Sequence, residues 1–199
     1  MNLKATVAAS LAALLVTIGS AQTTKPRDWF LAGSAPSSYD YFTEGNNVAQ
    51  GRLLVLKSKA MDSALDAAHS FGTVMQEFSA NDYRGKRIRL AAELKSNDID
   101  GWAGLWMRVN GLDDKMTAFD NMSTDNRAIK GTTEFKRYEV VLDVTEDANL
   151  ISIGVLLHGH GQVAVGKLEI DVVSKFVPVT NIYQDNPVKA RPTNLNFGS

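Results

Sequence analysis

"WAGLWMRVN", residues 102 to 110, is the stretch whose reading decides the fold. With period two, Ala103, Leu105, Met107 and Val109 fall on one face, and Trp102, Gly104, Trp106 and Arg108 on the other. The first set is the core stripe of a half-buried β-strand. The second places two indoles and a guanidinium on the opposite face, where a core stripe gives no reason for them.

The same alternation recurs on both sides. "KRIRLAAELKS" (86 to 96) turns Ile88, Leu90, Ala92 and Leu94 inward, and Arg87, Arg89, Glu93 and Lys95 outward. "RYEVVLDV" (137 to 144) buries Tyr138, Val140, Leu142 and Val144, and "LISIGVLLHG" (150 to 159) buries Ile151, Ile153, Val155 and Leu157. "GKLEIDVVSKF" (166 to 176) is expected to bury Leu168, Ile170 and Val172. "RLLVLKS" (52 to 58), "FGTVMQEF" (71 to 78) and "MTAFDNM" (116 to 122) complete the set. Turn formers separate the runs at Tyr83-Arg84-Gly85, Ser96-Asn97-Asp98, Gly111-Leu112-Asp113-Asp114 and Gly159-His160-Gly161. "KAMDSALDAAHS" (59 to 70) reads either as a short helix or as a loop. The pattern predicts an all-β protein, an antiparallel two-sheet β-sandwich of jelly-roll rather than immunoglobulin type.

The opening "MNLKATVAASLAALLVTIGSAQTT" has the form of a secretory signal: Lys4, an apolar run from Ala5 to Ile18, and small residues before a cut near Ala21. The run is too short and alanine-rich to favour a retained membrane span, so no stable membrane insertion is expected after cleavage. The predicted organisation is therefore a signal peptide (1–21), a sandwich domain (22–177) and an extended tail (178–199) holding three of the five prolines. The protein is expected in a periplasm or outside the cell. There is no cysteine, which removes thiol chemistry and cysteine-based zinc sites. Of 21 basic and 22 acidic residues, loss of Lys4 leaves 20 against 22, a net charge of −2. That is not the basic footprint of a nucleic-acid binder, and none is expected as a partner.

From Trp29 onward, "WFLAGSAPSSYDY", "YRGKR", "AGLWMRVNG", "FDNM" and "GTTEFKRYEVVLDVTEDANLISIGVLLHGHGQV" together resemble a bacterial sandwich domain. Such domains occur alone, often under a transcriptional-regulator name, or attached to larger proteins such as secreted serine peptidases of the C-terminal-processing type. The likeness covers most of residues 29 to 177 and implies a galactose-binding-like, carbohydrate-binding-module-like architecture. Function does not travel with fold alone. No helix-turn-helix pattern is legible to support the regulator name. The tail "PTNLNFG" (192 to 198) is similar to the phrase with which such modules open.

The candidate site follows from the second face of residues 102 to 110. An exposed Trp106 would stack on a sugar ring, and Arg108, one repeat away, would supply a planar donor fork. Asp120 and Asn121 of "FDNM", Gln76 and His158 would add polar contacts. The structural alternative has Trp106 filling space under a loop and Arg108 paired with Asp120, with Trp102 at the rim or in the core. "HGH" sets His158 and His160 close, but Gly159 and Gly161 suggest a turn on which the rings diverge, and His69 is the remaining histidine; no metal site is read here. The acidic turns 97–101 and 110–114 leave a structural calcium ion as the single cofactor candidate, although solvated turns fit them better. There is no G-x-S-x-G elbow and no phosphate loop. The expected function is an exported, non-catalytic module binding a carbohydrate or other small polar ligand. A hydrolase accessory domain and a protein-interaction module are the alternatives.

Overall fold

A computed structural model describes residues 24–47, 51–59, 69–124 and 126–183. The expected signal peptide, most of 59–70 and the tail beyond Tyr183 lie outside the described residues. Among the described residues, nine antiparallel strands make the fold: β1 (Phe30–Gly33), β2 (Tyr39–Asn47), β3 (Gly51–Ser58), β4 (Phe71–Ser79), β5 (Arg87–Asn110), β6 (Met116–Asp120), β7 (Ile129–Asp143), β8 (Leu150–His158) and β9 (Gln162–Val173). Between them lie three-residue 3-10 turns, such as Asn81–Tyr83.

The organising strand is β5. Its 24 residues run through both layers of an antiparallel jelly-roll sandwich. Residues 87–97 pair with β9, and 87–103 with β7, in a sheet that continues through β3 to β2. Residues 102–110 pair with β8 and, at the end, with β6, in a sheet that continues through β4 to β1. Ser96-Asn97-Asp98 is therefore not a turn between two strands. The register instead slips between Ser96 and Ile99 and again before Ala103, and Asp98 takes φ 55°. A bulged strand bends and twists without ending, so the polar run changes the strand's direction and carries it from one sheet to the other.

The core lies between the layers. Leu105, Met107, Val109, Ile151, Val155 and Leu157 from one sheet meet Leu56, Ile88, Leu90, Leu94, Val140, Leu142 and Val163 from the other. These are the stripes read from the alternation, with one departure. In β9 the ladder slips between Gly166 and Glu169, and Lys167 takes φ 48°. Ile170 still packs on the core, but Leu168 and Val172 stay 36% and 54% exposed rather than buried. The bulge supplies the reason at Leu168, since period two does not hold across it.

The first described residues of the expected tail are held. Thr180 N–H donates to Val141 C=O at 2.9 Å and Ile182 N–H to Phe119 C=O at 2.8 Å, while the Asn181 side chain accepts from Phe119 N–H at 2.9 Å. This segment clips β6 and β7, which is why Val141 is buried although it faces away from the core stripe.

Candidate functional site

Directly opposed residues in antiparallel strands share a face, so the register alone assembles the outer surface of the β1-β4-β8-β5-β6 sheet. Glu77, Ser152, Arg108 and Phe119 form one cross-strand row. Phe30, Met75, Gly154 and Trp106 form the next. Ala32, Thr73, Leu156 and Gly104 follow, then Phe71, His158 and Trp102. Apart from Ser152, Gly154 and Gly104, these residues line a cleft of about 610 Å³ on the outer face, opposite the core.

The rows explain its depth. Glycine at 154 and 104 lowers the surface between aromatic walls. A Cβ on Gly154 would come within 2.7 Å of the Trp106 indole nitrogen, and one on Gly104 within 2.7 Å of the Asn121 carbonyl. Trp106 therefore settles into the sheet surface. It is 8% exposed, and its N–H donates to Thr73 Oγ1 at 2.7 Å, whose own hydroxyl donates to Val155 C=O at 2.8 Å. Trp106 is the floor of the cleft rather than an open platform, which corrects the sequence expectation. The missing side chain at Gly154 leaves room for the indole, which buries its apolar surface there and finds a hydrogen-bond partner for its N–H.

Trp102 is the more accessible indole. It stacks on His158, with centroids 6.2 Å apart and planes at 14°. His158 Nδ1 is buried without a hydrogen-bond partner. His160 diverges from it across Gly159: its backbone N–H and ring Nδ1 lie 2.6 and 2.8 Å from the two carboxylate oxygens of Asp100. Among the described residues no cluster of three or more His, Asp or Glu side chains is arranged to hold a metal ion.

Two expected site residues lie elsewhere. Gln76, Ile153, Met107 and Asp120 form a single cross-strand row on the opposite face, the one that holds the core. Gln76 thus sits on the Val74 and Phe78 side of β4. Asp120 is fully buried and is bound by Arg127 Nη1 at 2.5 Å and by Met122 N–H at 2.9 Å. The expected Arg108–Asp120 pair does not form, because the two side chains leave opposite faces of adjacent strands. Arg127 also donates to Glu139 C=O at 2.8 Å, so the Asp120–Arg127 pair fixes the loop that brings Asn121 to the cleft edge. The Asn121 carbonyl oxygen of the side chain accepts from Ser123 N–H at 3.1 Å.

Arg108, Asn121 and His158 do line the cleft, together with the unforeseen Glu77, Thr73, Phe30, Phe71 and Phe119. Glu77 accepts from Ser152 Oγ at 3.0 Å. Parity with Thr73 and Met75 was the signal that could have found Glu77, once the sheet had fixed which face of β4 is outward. Arg108 makes no hydrogen bond or ion pair with a described residue, and its Nε is buried and unpartnered.

Two solved structures share this architecture. The enzymatically active domain of bacteriophage CBA120 tailspike protein 4 aligns with TM-score 0.53 at 15% identity, over 74% of this chain and 20% of that one. The Clostridium thermocellum N-terminal endo-1,4-β-D-xylanase 10B, solved as CBM22-1–GH10 modules complexed with xylohexaose, aligns with TM-score 0.51 at 11% identity, over 78% and 28%. The fold is a carbohydrate-binding-module-like jelly roll. No family model matches the chain. In sequence it is 39% identical, over 174 residues, to the uncharacterized HTH-type transcriptional regulator YbfP of Bacillus subtilis (strain 168). The alignment takes in 87% of this chain and spans 57% of that relative's length.

Proposed function

We infer that this protein is an exported, non-catalytic module that binds a carbohydrate in the outer cleft of the β1-β4-β8-β5-β6 sheet. One observation carries the reading: a cleft of about 610 Å³ combines an aromatic surface with polar atoms that have no protein partner. Sugar rings offer an apolar C–H face and an equatorial fringe of hydroxyls. Trp102 takes the first by stacking, over a floor of Trp106. Arg108 and Asn121 take the second by hydrogen bonding. Carbohydrate-binding modules appear among proteins with this fold, which supports the ligand class.

The cleft holds a carboxylate, Glu77, whose hydrogen-bond partner is Ser152, and among the described residues no second carboxylate lines it. Glycoside hydrolysis uses a pair of them, so binding without turnover fits the lining better. The relative's regulator name fits a module that senses a ligand for an attached partner domain.

The deciding experiment is a glycan-array screen followed by calorimetric titration of the strongest hit against the wild type and Trp102→Ala. Saccharide binding that Trp102→Ala weakens by about tenfold supports the reading. Equal binding by both proteins, or none to any glycan, removes it.

A further inference from the structure

Four arginines elsewhere in the sandwich face carboxylates. Arg87 meets Asp143 at 2.8 Å, Arg89 meets Asp171 at 3.3 Å, Arg127 meets Asp120 at 2.5 Å, and Arg137 meets Glu169 at 3.2 Å. Arg84 donates instead to Ala148 C=O at 2.6 Å and Arg52 to Thr24 Oγ1 at 3.1 Å. Arg108 has neither kind of partner among the described residues. It stands in a row with Ser152 and Glu77, yet Glu77 is turned to Ser152 and does not pair with it. The guanidinium keeps its charge at any physiological pH. Its Nε is already shielded from water, so a donor has lost its hydration without gaining an acceptor.

The two Nη atoms of Arg108 have no described partner either, and they are not fully shielded as Nε is. They form the end-on fork of arginine, whose two parallel N–H groups match the two oxygens of a carboxylate. A neutral hydroxyl would use one of those donors and leave the charge uncompensated. Resting on the sugar-binding reading above, we propose that the cleft selects an acidic saccharide, and that Arg108 binds the carboxylate of a uronic acid residue. Trp102 takes the ring face of the saccharide. Glu77 sets the polarity of the row, since its carboxylate repels an anion at the β4 side and leaves the β5 side to receive it. Phe119, opposite Arg108 on β6, flanks that position and limits its hydration.

The test is calorimetric titration of the full chain with oligogalacturonate, oligoglucuronate and oligomannuronate, each beside its carboxyl-reduced counterpart. Wild type, Arg108→Gln, Arg108→Lys and Trp102→Ala are compared, with circular dichroism and melting curves to establish folding. At least one oligouronide is expected to bind, its reduced counterpart roughly ten- to hundredfold more weakly. Arg108→Gln should erase that difference while leaving residual binding that depends on Trp102. Arg108→Lys should restore only part of it, because a point charge replaces a fork. Equal affinity for acidic and reduced sugars, or a preference unchanged in Arg108→Gln, overturns the acidic specificity and leaves the sugar-binding reading standing. Absence of binding to any saccharide, acidic or neutral, overturns both.

Discussion

Trp106 and Trp102 are four residues apart on one strand and face, yet they do different work. Trp106 is packed and hydrogen-bonded, so its removal acts on stability. Trp106→Ala is expected to destabilise the fold by roughly 3–5 kcal/mol, the range for large aromatic truncations, and a urea unfolding curve measures it. Trp102→Ala should change that curve little and weaken saccharide binding about tenfold, the value of one lost stacking contact. Should the two variants exchange behaviour, the assignment of floor and wall is wrong. Glu77→Gln belongs at the same scale. Removing a carboxylate from the Arg108 row is expected to tighten binding of an acidic sugar and leave a neutral one unaffected, as read by titration.

At the scale of elements, β8 and the loop after β6 shape the cleft. Gly154 on β8 has no room for a side chain: an added Cβ would lie 2.6 Å from Val74 C=O as well as against Trp106. Gly154→Ala should therefore lower stability by about 1–3 kcal/mol through forced displacement, with a shift in tryptophan fluorescence as Trp106 moves. Asp120 acts on the loop rather than on a ligand. Asp120→Ala would strand the Arg127 guanidinium, and breaking a buried pair costs about 3–5 kcal/mol. Loss of affinity in that variant would follow from the displaced Asn121, and melting curves should show the destabilisation beside it. Period-two reading found these strands because each buries one face. It missed the passage of β5 through 96–99, since a bulge and a turn use the same polar residues and differ only in what the next strand pairs with.

For the whole molecule, Asp143 joins β7 to β5 and to the segment after β9. Arg87 is its main partner and Lys175 its second, at 2.8 Å each, and Arg87 also donates to Lys175 C=O at 2.6 Å. The hydrogen bonds from Arg87, with help from Lys175, hold the Asp143 carboxyl down at about 2. A depressed folded value means that this contribution is complete above the unfolded value, about 3.9, and disappears as pH falls from there through 2. Wild type should lose urea resistance over that window, whereas Asp143→Asn should lose less. A parallel decline in both proteins would deny Asp143 the role. At the same scale, the export we propose predicts that the mature protein recovered from outside the cytoplasm begins near Gln22, as N-terminal sequencing would read directly.

Side-chain alternation by itself determined the all-β class, most strand positions and the core stripes, because burial of one face imposes period two on the local sequence. It also singled out Trp106, Arg108, Asn121 and His158, whose side chains the cleft does gather. Only the tertiary structure decided which residues stand together across strands. Gln76 and Asp120 fell away from the cleft and Glu77 and Trp102 joined it because cross-strand register is a long-range property, set by which strands pair and where they slip. The depth of Trp106 is equally non-local: it depends on Gly154, 48 positions later in the chain, and on Thr73 across a third strand.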